Sequence, residues 1–309
     1  MHDRDTRPLR GGARLAAALV ALVAVAGAGC GGGQSQGAVR PLVISAIPDQ
    51  DPERLRRLHG AVADHLERAL GVPVRYEPVT DYTASVSLFA AGELDLVWFG
   101  GLTGVQARLQ AEGARAVAQR DIDARFRSVF IASASSGLGP VDDVAGLSAL
   151  AGRRFTFGSE SSTSGRLMPQ WFLDQAGVAP ADFAGPPGFS GSHDRTIALV
   201  EAGTYEAGAL NEQVWTARLE DGTVDPTRVE EIFRTPAYHD YHWVIGPGAA
   251  RRYGAGFVED VTRAFVSLDR ADPQDRAVLD LFGAGAFVEV HDADYRRIED
   301  VGRRLGLIT

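Results

Sequence analysis

The sequence predicts an α/β protein of two similar lobes, each a mainly parallel sheet flanked by helices, with a hinged cleft between them. Apolar runs of strand length alternate with segments whose apolar residues recur at helical spacing, which is typical of a parallel sheet covered on both faces. The alternation restarts after a glycine-rich stretch at 136–140, which predicts a linker. A chain of 309 residues is long enough for two domains of ordinary size.

Residues 1–29 are predicted to be a secretory signal. Four arginines precede an apolar run from Leu15 to Ala28 that is too short for a comfortable membrane span. The small residues before Cys30, the only cysteine, resemble a bacterial lipobox, which implies a lipid on Cys30. Gly27 departs from that pattern, where a larger aliphatic residue is usual, and the alternative is a secreted protein with an incidental cysteine. Residues 30–40 then form a flexible tether.

The charge of the chain indicates which partners to expect. The net charge is −9, it becomes −11 without the first 29 residues, and the sequence contains no lysine. A chain this acidic is not expected to bind nucleic acid, whose phosphates favour a basic surface. An anion bound here would be held by local dipoles and hydrogen bonds.

The first lobe is predicted to comprise 41–134 and 236–309. Its elements in chain order are strand 42–47, a helix from Pro52 to Gly71, strand 72–79, helix 81–91, strand 94–99, a helix after Gly100-Gly101, strand 126–133, strand 242–246 and three helices whose apolar faces include Phe257, Val278 and Tyr295.

The second lobe is predicted at 135–235. Its elements are strand 153–158, helix 165–176, helix 194–202, strand 205–210, a helix containing Val214 and Trp215, and strand 229–235. The chain is expected to cross between the lobes near 133–140 and to return near 235–242. Parallel α/β sheets bind ligands at the carboxyl ends of their strands, so the turns there are the candidate site.

Ser162-Thr163-Ser164-Gly165 lies between a strand and a helix. Serine and threonine are good N-caps, and one cap would be enough for stability. The surplus hydroxyls and the free N–H groups at the positive helix end predict an anion site. Pro169 cannot donate to the Gly165 carbonyl, so a kinked or loosened first turn is expected.

Other strand ends supply further candidates. His193 lies where the predicted helix 194–202 starts, Asn211 follows strand 205–210, and Trp98 and Tyr82 lie at turns of the first lobe. Each has a structural alternative, because His193 could pack beside its helix, Asn211 could be an ordinary N-cap and Trp98 could belong to the core. Tyr82 and Trp98 suit packing over the less polar side of a small ligand.

The segments "DYTASVSLFAAGELDLVWFGG", "STSGRLMP" and "FSGSHDRTIALVEAG…EAGALN" resemble the periplasmic phosphonate-binding proteins of ABC importers over about residues 41–309. "TPAYHDYHW" further resembles the branch labelled selenate transporters. The resemblance implies a monomeric, two-lobed type II solute-binding fold without cofactor or metal, a small tetrahedral oxyanion as ligand, and delivery to a membrane permease. It implies that Ser162, Thr163, Ser164 and His193 contact the oxyanion and that Tyr82 closes from the opposite lobe. The amide at Asn211 argues against recognition of an aminoalkyl group.

Three alternatives remain at this point. A hydrolase would use Ser162 or Ser164 with His193 and either Asp194 or Asp240, but no G-x-S-x-G elbow is present. A metal site would use His239, Asp240 and His242, whose spacing is a weak signal. A binder of sulfonates or of a thiamine-precursor pyrimidine would need more aromatic faces and fewer hydroxyls.

Overall fold

The structure is a computed structural model that describes residues 40–309, so the predicted signal, Cys30 and nearly all of the tether lie outside the described residues. Two β-sheets organise this part of the chain. We call the six-stranded sheet, of order β11-β4-β10-β3-β1-β2, and its helices the first lobe, and the five-stranded sheet, of order β7-β6-β8-β5-β9, and its helices the second lobe. The strands are β1 Leu42–Ala46, β2 Val74–Tyr76, β3 Leu96–Phe99, β4 Arg115–Arg120, β5 Ser128–Ser133, β6 Phe155–Phe157, β7 Gly188–Phe189, β8 Ala207–Asn211, β9 Val229–Arg234, β10 His242–Ile245 and β11 Phe287–Glu289.

The helices flank these sheets. They are α1 Pro52–Leu70, α2 Tyr82–Ala90, α3 Gly101–Gln110, α4 Met168–Gln175, α5 His193–Glu201, α6 Glu212–Glu220, α7 Pro247–Tyr253, α8 Phe257–Val266, α9 Pro273–Phe282 and α10 Arg296–Arg304. Short 3₁₀ helices lie at Asp123–Arg125, Ala134–Ser136, Val144–Leu150, Pro180–Asp182 and Asp292–Tyr295. Helices α4 to α6 pack in the second lobe, and the other α-helices pack in the first.

The helix boundaries follow the chemistry of their end residues. Asp51 caps α1 by accepting from the Arg54 N–H at 3.0 Å, and Gly71 ends α1 with a left-handed φ of 66°. The two-lobed α/β fold is confirmed, while β4, β7, β11 and α7 are not predicted from the sequence. Strand β4 begins and ends with arginine and also contains a glutamine. These polar residues obscure the apolar pattern of the strand in the sequence, although all but Arg115 are buried.

Both sheets are mixed rather than mainly parallel. Strand β10 runs antiparallel to β3 and β4, and β5 runs antiparallel to β8 and β9. The sequence analysis assigned the strand at 126–133 to the first lobe, which is corrected by this pairing. The apolar pattern identifies a strand but not the sheet that it joins. The chain therefore passes between the sheets at 121–127 and again at 235–241.

A continuous apolar core connects the two lobes. It extends from the first sheet to one face of the second, where Phe155 and Leu167 are buried, and a smaller core containing Ile197 and Trp215 covers the other face. Among residues 40–309, no helix combines the length and the hydropathy needed to span a bilayer.

Candidate functional site

Two helix N-termini, one from each lobe, meet at the centre of the molecule. Helix α3 of the first lobe begins at Gly101, and the Leu102 N–H donates to Thr163 Oγ1 of the second lobe at 2.9 Å. The Gly101 N–H donates to Asp240 Oδ1, also at 2.9 Å. A Cβ atom on Gly100 would lie 3.1 Å from Thr163 Oγ1, so glycine permits this approach. The positive ends of both helix dipoles therefore face the same enclosed point, which favours an anion.

The turn Ser162–Ser164, which we call the hydroxyl turn, lies at the start of the helical segment that leads into α4. Ser162 is its N-cap and accepts from the Gly165 N–H at 2.9 Å, which confirms the predicted capping. Ser162, Thr163 and Ser164 are each no more than 2 % exposed. One hydroxyl thus serves the cap, whereas the next two lie beside Asp240.

Residues Thr163–Leu167 form one turn of π-helix before α4 starts. Pro169 has no N–H for the Gly165 carbonyl, and that carbonyl instead accepts from the Gly158 N–H at 2.8 Å. The loosened first turn expected from Pro169 is therefore present. It widens the helix start where the hydroxyls lie.

Asp240 is the functional residue that the sequence analysis did not place in the binding site. Its carboxyl group is fully buried, and burial raises its pKa to about 7 despite the Gly101 N–H and the hydroxyls of Thr163 and Ser164. Asp240 Oδ2 makes no hydrogen bond of standard geometry with any residue of 40–309, although the Thr163 and Ser164 hydroxyls lie near enough to favour the charged form. A half-protonated carboxyl with a free oxygen can share a proton with an oxyanion. In the sequence analysis Asp240 appears only in the hydrolase and metal-site alternatives and as part of "TPAYHDYHW".

Tyr82 approaches the hydroxyl turn from the first lobe. Asp81 caps α2 by accepting from the Ala84 N–H at 2.8 Å, which fixes Tyr82 as the first residue of the helix. Its hydroxyl lies next to Ser162, is buried, and makes no hydrogen bond of standard geometry with any described residue. Burial raises the Tyr82 pKa well above its usual value, so the phenol is a neutral donor.

His193 lies in a hydrogen-bond network centred on Tyr241. Its Nδ1 accepts from the Asn211 N–H at 3.4 Å, so the proton of a neutral ring is on Nε2, which lies 3.3 Å from Tyr241 Oη. Tyr241 also accepts from Asn211 Nδ2 at 3.0 Å and donates to Asp49 Oδ2 at 2.7 Å. Burial lowers the His193 pKa to about 4 and raises that of Asp49 to about 6. Both ring nitrogens of His193 therefore have protein partners.

Asn211 and Trp98 support this network. Asn211 Oδ1 caps α6 by accepting from the N–H groups of Gln213 and Val214, which is the structural alternative considered for it. Trp98 is 4 % exposed and stacks on Tyr241 with ring centroids 5.7 Å apart. The Arg120 guanidinium, which pairs with buried Asp123, lies over the Trp98 ring, a charge that sequence reasoning missed.

An open cleft of about 690 Å³ adjoins the enclosed point. Asp49, Trp98, Asn211 and Tyr241 line it, but Tyr82, Ser162–Ser164 and Asp240 do not. Tyr241 therefore borders the cleft and also lies near Tyr82 and Asp240. The structure brings Tyr82 next to Ser162 and places His193, Asn211 and Trp98 around Tyr241.

Two α/β lobes that enclose a small anion-favouring site define a two-lobed solute-binding protein. The model of a protein family described as ABC transporter, phosphonate, periplasmic substrate-binding protein matches residues 44–295. The chain belongs to this family of binding proteins, which is not one of enzymes and works with ABC transporters outside the cytoplasm.

Individual relatives agree with this assignment. The chain is 45% identical over 268 residues to a probable ABC transporter phosphite binding protein, PhnD1, of Prochlorococcus marinus, covering 86% of this chain and 90% of the relative. The structure of that PhnD1 with methylphosphonate is 44% identical, has a TM-score of 0.84, and is matched over 86% of this chain and 98% of its own. The phosphate-import protein PhnD of Mycolicibacterium smegmatis is 25% identical over 307 residues, 93% of each chain. The aliphatic sulphonate binding protein SsuA of Escherichia coli, 15% identical with a TM-score of 0.60 and matched over 87% of this chain and 88% of its own, shares the fold.

The raised pKa of Asp240 predicts how stability of the ligand-free protein depends on pH. The folded-state pKa of about 7 exceeds the unfolded value of 3.8, so folding favours the protonated form. Asp240 therefore destabilises the fold increasingly as pH rises from about 4 to 7. Asp240→Asn should match the wild type in free energy of unfolding at pH 4 and exceed it by up to about 4 kcal/mol above pH 7.

Urea unfolding of both proteins between pH 4 and pH 8 measures this difference. Asp64→Asn, on the exposed face of α1, is the matched control and should show no pH-dependent gain. A constant difference between Asp240→Asn and wild type at every pH would contradict the assigned pKa.

Proposed function

We propose that the protein binds a small phosphorus oxyanion, phosphite or a short phosphonate, and delivers it as a monomer to the permease of an ABC importer. The observation that carries this proposal is Asp240, a buried carboxyl with a free oxygen between two helix N-termini. A carboxyl there accepts an anion only if one proton is shared between the two groups. Phosphorus oxyanions hold such a proton near neutral pH, since the second pKa of a phosphate ester is about 6.

The proposed direct contacts are Tyr82, Thr163, Ser164 and Asp240. Ser162 contributes by capping the turn. His193, which we expected to touch the ligand, is proposed to act through Tyr241, because both its ring nitrogens already have partners. The relative at 44–45% identity, PhnD1, is described as a probable phosphite binding protein and has a structure in complex with methylphosphonate, which supports this ligand class.

Selenate and sulfonates are less suited to this site. These anions carry no proton near neutral pH, so the Asp240 carboxyl alone would have to supply the shared one. In such a complex the proton would stay on Asp240, because selenate and sulfonates are much weaker bases than phosphite and accept the shared hydrogen bond less well.

Binding should depend on both the anion and the pH. Calorimetry at pH 6.5 should rank phosphite and methylphosphonate above selenate and methanesulfonate. Affinity for phosphite should fall about tenfold per pH unit above pH 7.5, because the complex then takes up one proton that the free Asp240 and the free anion have lost. Since the His193 pKa is about 4, His193 should not contribute to this loss.

The same titration with Asp240→Asn should give a flatter profile, because an amide donates to the anion without titrating. Equal affinity for all four anions, or a wild-type profile without pH dependence, would contradict the shared proton.

Thr163 should be essential for affinity through its hydroxyl. Thr163→Ala removes a donor to the anion and the acceptor of the Leu102 N–H, and hydrogen bonds to charged groups contribute about 1.5–3 kcal/mol. The dissociation constant should therefore rise about 10- to 100-fold. Thr163→Ser should restore most of the affinity, and Ser161→Ala, on the same turn but outside the site, should bind as wild type. Unchanged affinity in Thr163→Ala would mean that the hydroxyl only joins the lobes.

We further propose that Cys30 carries a lipid that anchors the protein to the outer side of the cytoplasmic membrane. The apolar segment, the lone cysteine and the glycine-rich tether support this proposal. A diacylated cysteine supplies two chains, which is enough for stable anchoring. Cys30→Ser should move the protein from the membrane fraction to the soluble fraction, as followed by immunoblotting. Membrane association that persists in this variant would refute the anchor.

A further inference from the structure

A further connection between the lobes lies beside the Tyr241 network. The loop after β1 in the first lobe meets the start of α5 in the second. The His193 N–H donates to the Asp49 carbonyl at 3.0 Å, and the Asp51 N–H donates to Asp194 Oδ2 at 2.8 Å. The first of these contacts uses main-chain atoms, whereas the second depends on one side chain.

Asp194 is held in place for this contact. Its Oδ1 accepts from Arg218 Nε at 2.7 Å, so one carboxylate oxygen binds its own lobe and the other binds the opposite lobe. Arg218 is itself fixed by Asp221, 3.1 Å from its Nη1, and its side chain is 15 % exposed. Hydrogen bonds to an ionised acceptor that is already oriented are stronger than neutral ones.

We propose that Asp194 is a positioning residue that latches the closed form and slows release of the bound anion without touching it. Arg218 orients the latch. The Asp51–Asp194 bond joins two lobes that must separate for the anion to leave, so it stabilises the closed form over the open one. This inference rests on the proposed function, since it concerns the release of that ligand.

The latch should appear in the dissociation rate. Stopped-flow measurements with phosphite and methylphosphonate as probes should show release about 3- to 10-fold faster in Asp194→Ala, because the lost bond is charged but partly exposed. Association should change less than twofold, since the latch forms only after the lobes meet. Asp194→Asn keeps an acceptor for Asp51 but loses the ion pair, so its release rate should be intermediate.

Arg153→Leu is the matched control. Arg153 pairs with Glu206 at 3.1 Å entirely within the second lobe, so its loss removes an ion pair without touching the lobe contact. Its release rate should equal that of the wild type. A release rate in Asp194→Ala equal to that in Arg153→Leu would overturn the proposal, whatever happens to thermal stability. If Asp194→Ala does not fold, Arg218→Leu and Asp194→Asn decide by the same comparison.

Small-angle scattering separates this proposal from the choice of ligand. Ligand-free Asp194→Ala should have a larger radius of gyration than the wild type, because the closed form is less populated. Failure of the wild type to bind either anion in calorimetry would count against the proposed function alone. Equal scattering curves for ligand-free Asp194→Ala and ligand-free wild type would overturn the latch proposal.

Discussion

The structure depends on the meeting of two helix N-termini around one buried carboxyl group. The Gly101 N–H holds Asp240, and the Leu102 N–H holds Thr163 of the other lobe. Removing a carboxylate from water destabilises its charged form, which the raised pKa of Asp240 reflects. The N–H groups and hydroxyls offset only part of that penalty. The lobes therefore enclose a site whose charge is adjustable by one proton, and a small acid anion complements it better than a neutral solute.

The route of the chain explains why this residue lies there. Strand β10 returns from the second lobe and enters the first sheet between β3 and β4, so the residues just before it cross the space between the lobes. Asp240 and Tyr241 belong to that crossing, and their side chains contact different parts of the molecule. Asp240 faces the helix starts, whereas Tyr241 ties Asp49 of the first lobe to Asn211 of the second. A segment that crosses between the lobes thus contributes directly to the proposed binding site.

Local sequence could predict those parts of the site that local chemistry determines. The Ser162 cap, the Pro169 distortion and the turn after β3 follow from residue types next to strand ends. Asp240 could not be found in this way, because its role depends on α3, which is distant in sequence. The contacts of His193 could not be predicted from local sequence either. Its two ring nitrogens lie against Tyr241 and the Asn211 N–H, which are distant in sequence. Likewise, the pattern of β5 identifies a strand, but its partners come from residues about 80 to 105 positions later.

A rigid aromatic side chain lies near the buried carboxyl. Tyr241 borders the open cleft and lies near Tyr82 and Asp240. Stacking on Trp98 holds its ring while three hydrogen-bond partners hold its hydroxyl. Moving this side chain would leave buried polar groups of Asn211 and Asp49 unpaired, which is costly. The Tyr241 side chain is therefore held rigidly between the lobes. A proton-sharing carboxyl on one side and a fixed aromatic layer on the other together favour an oxyanion that is both acidic and small.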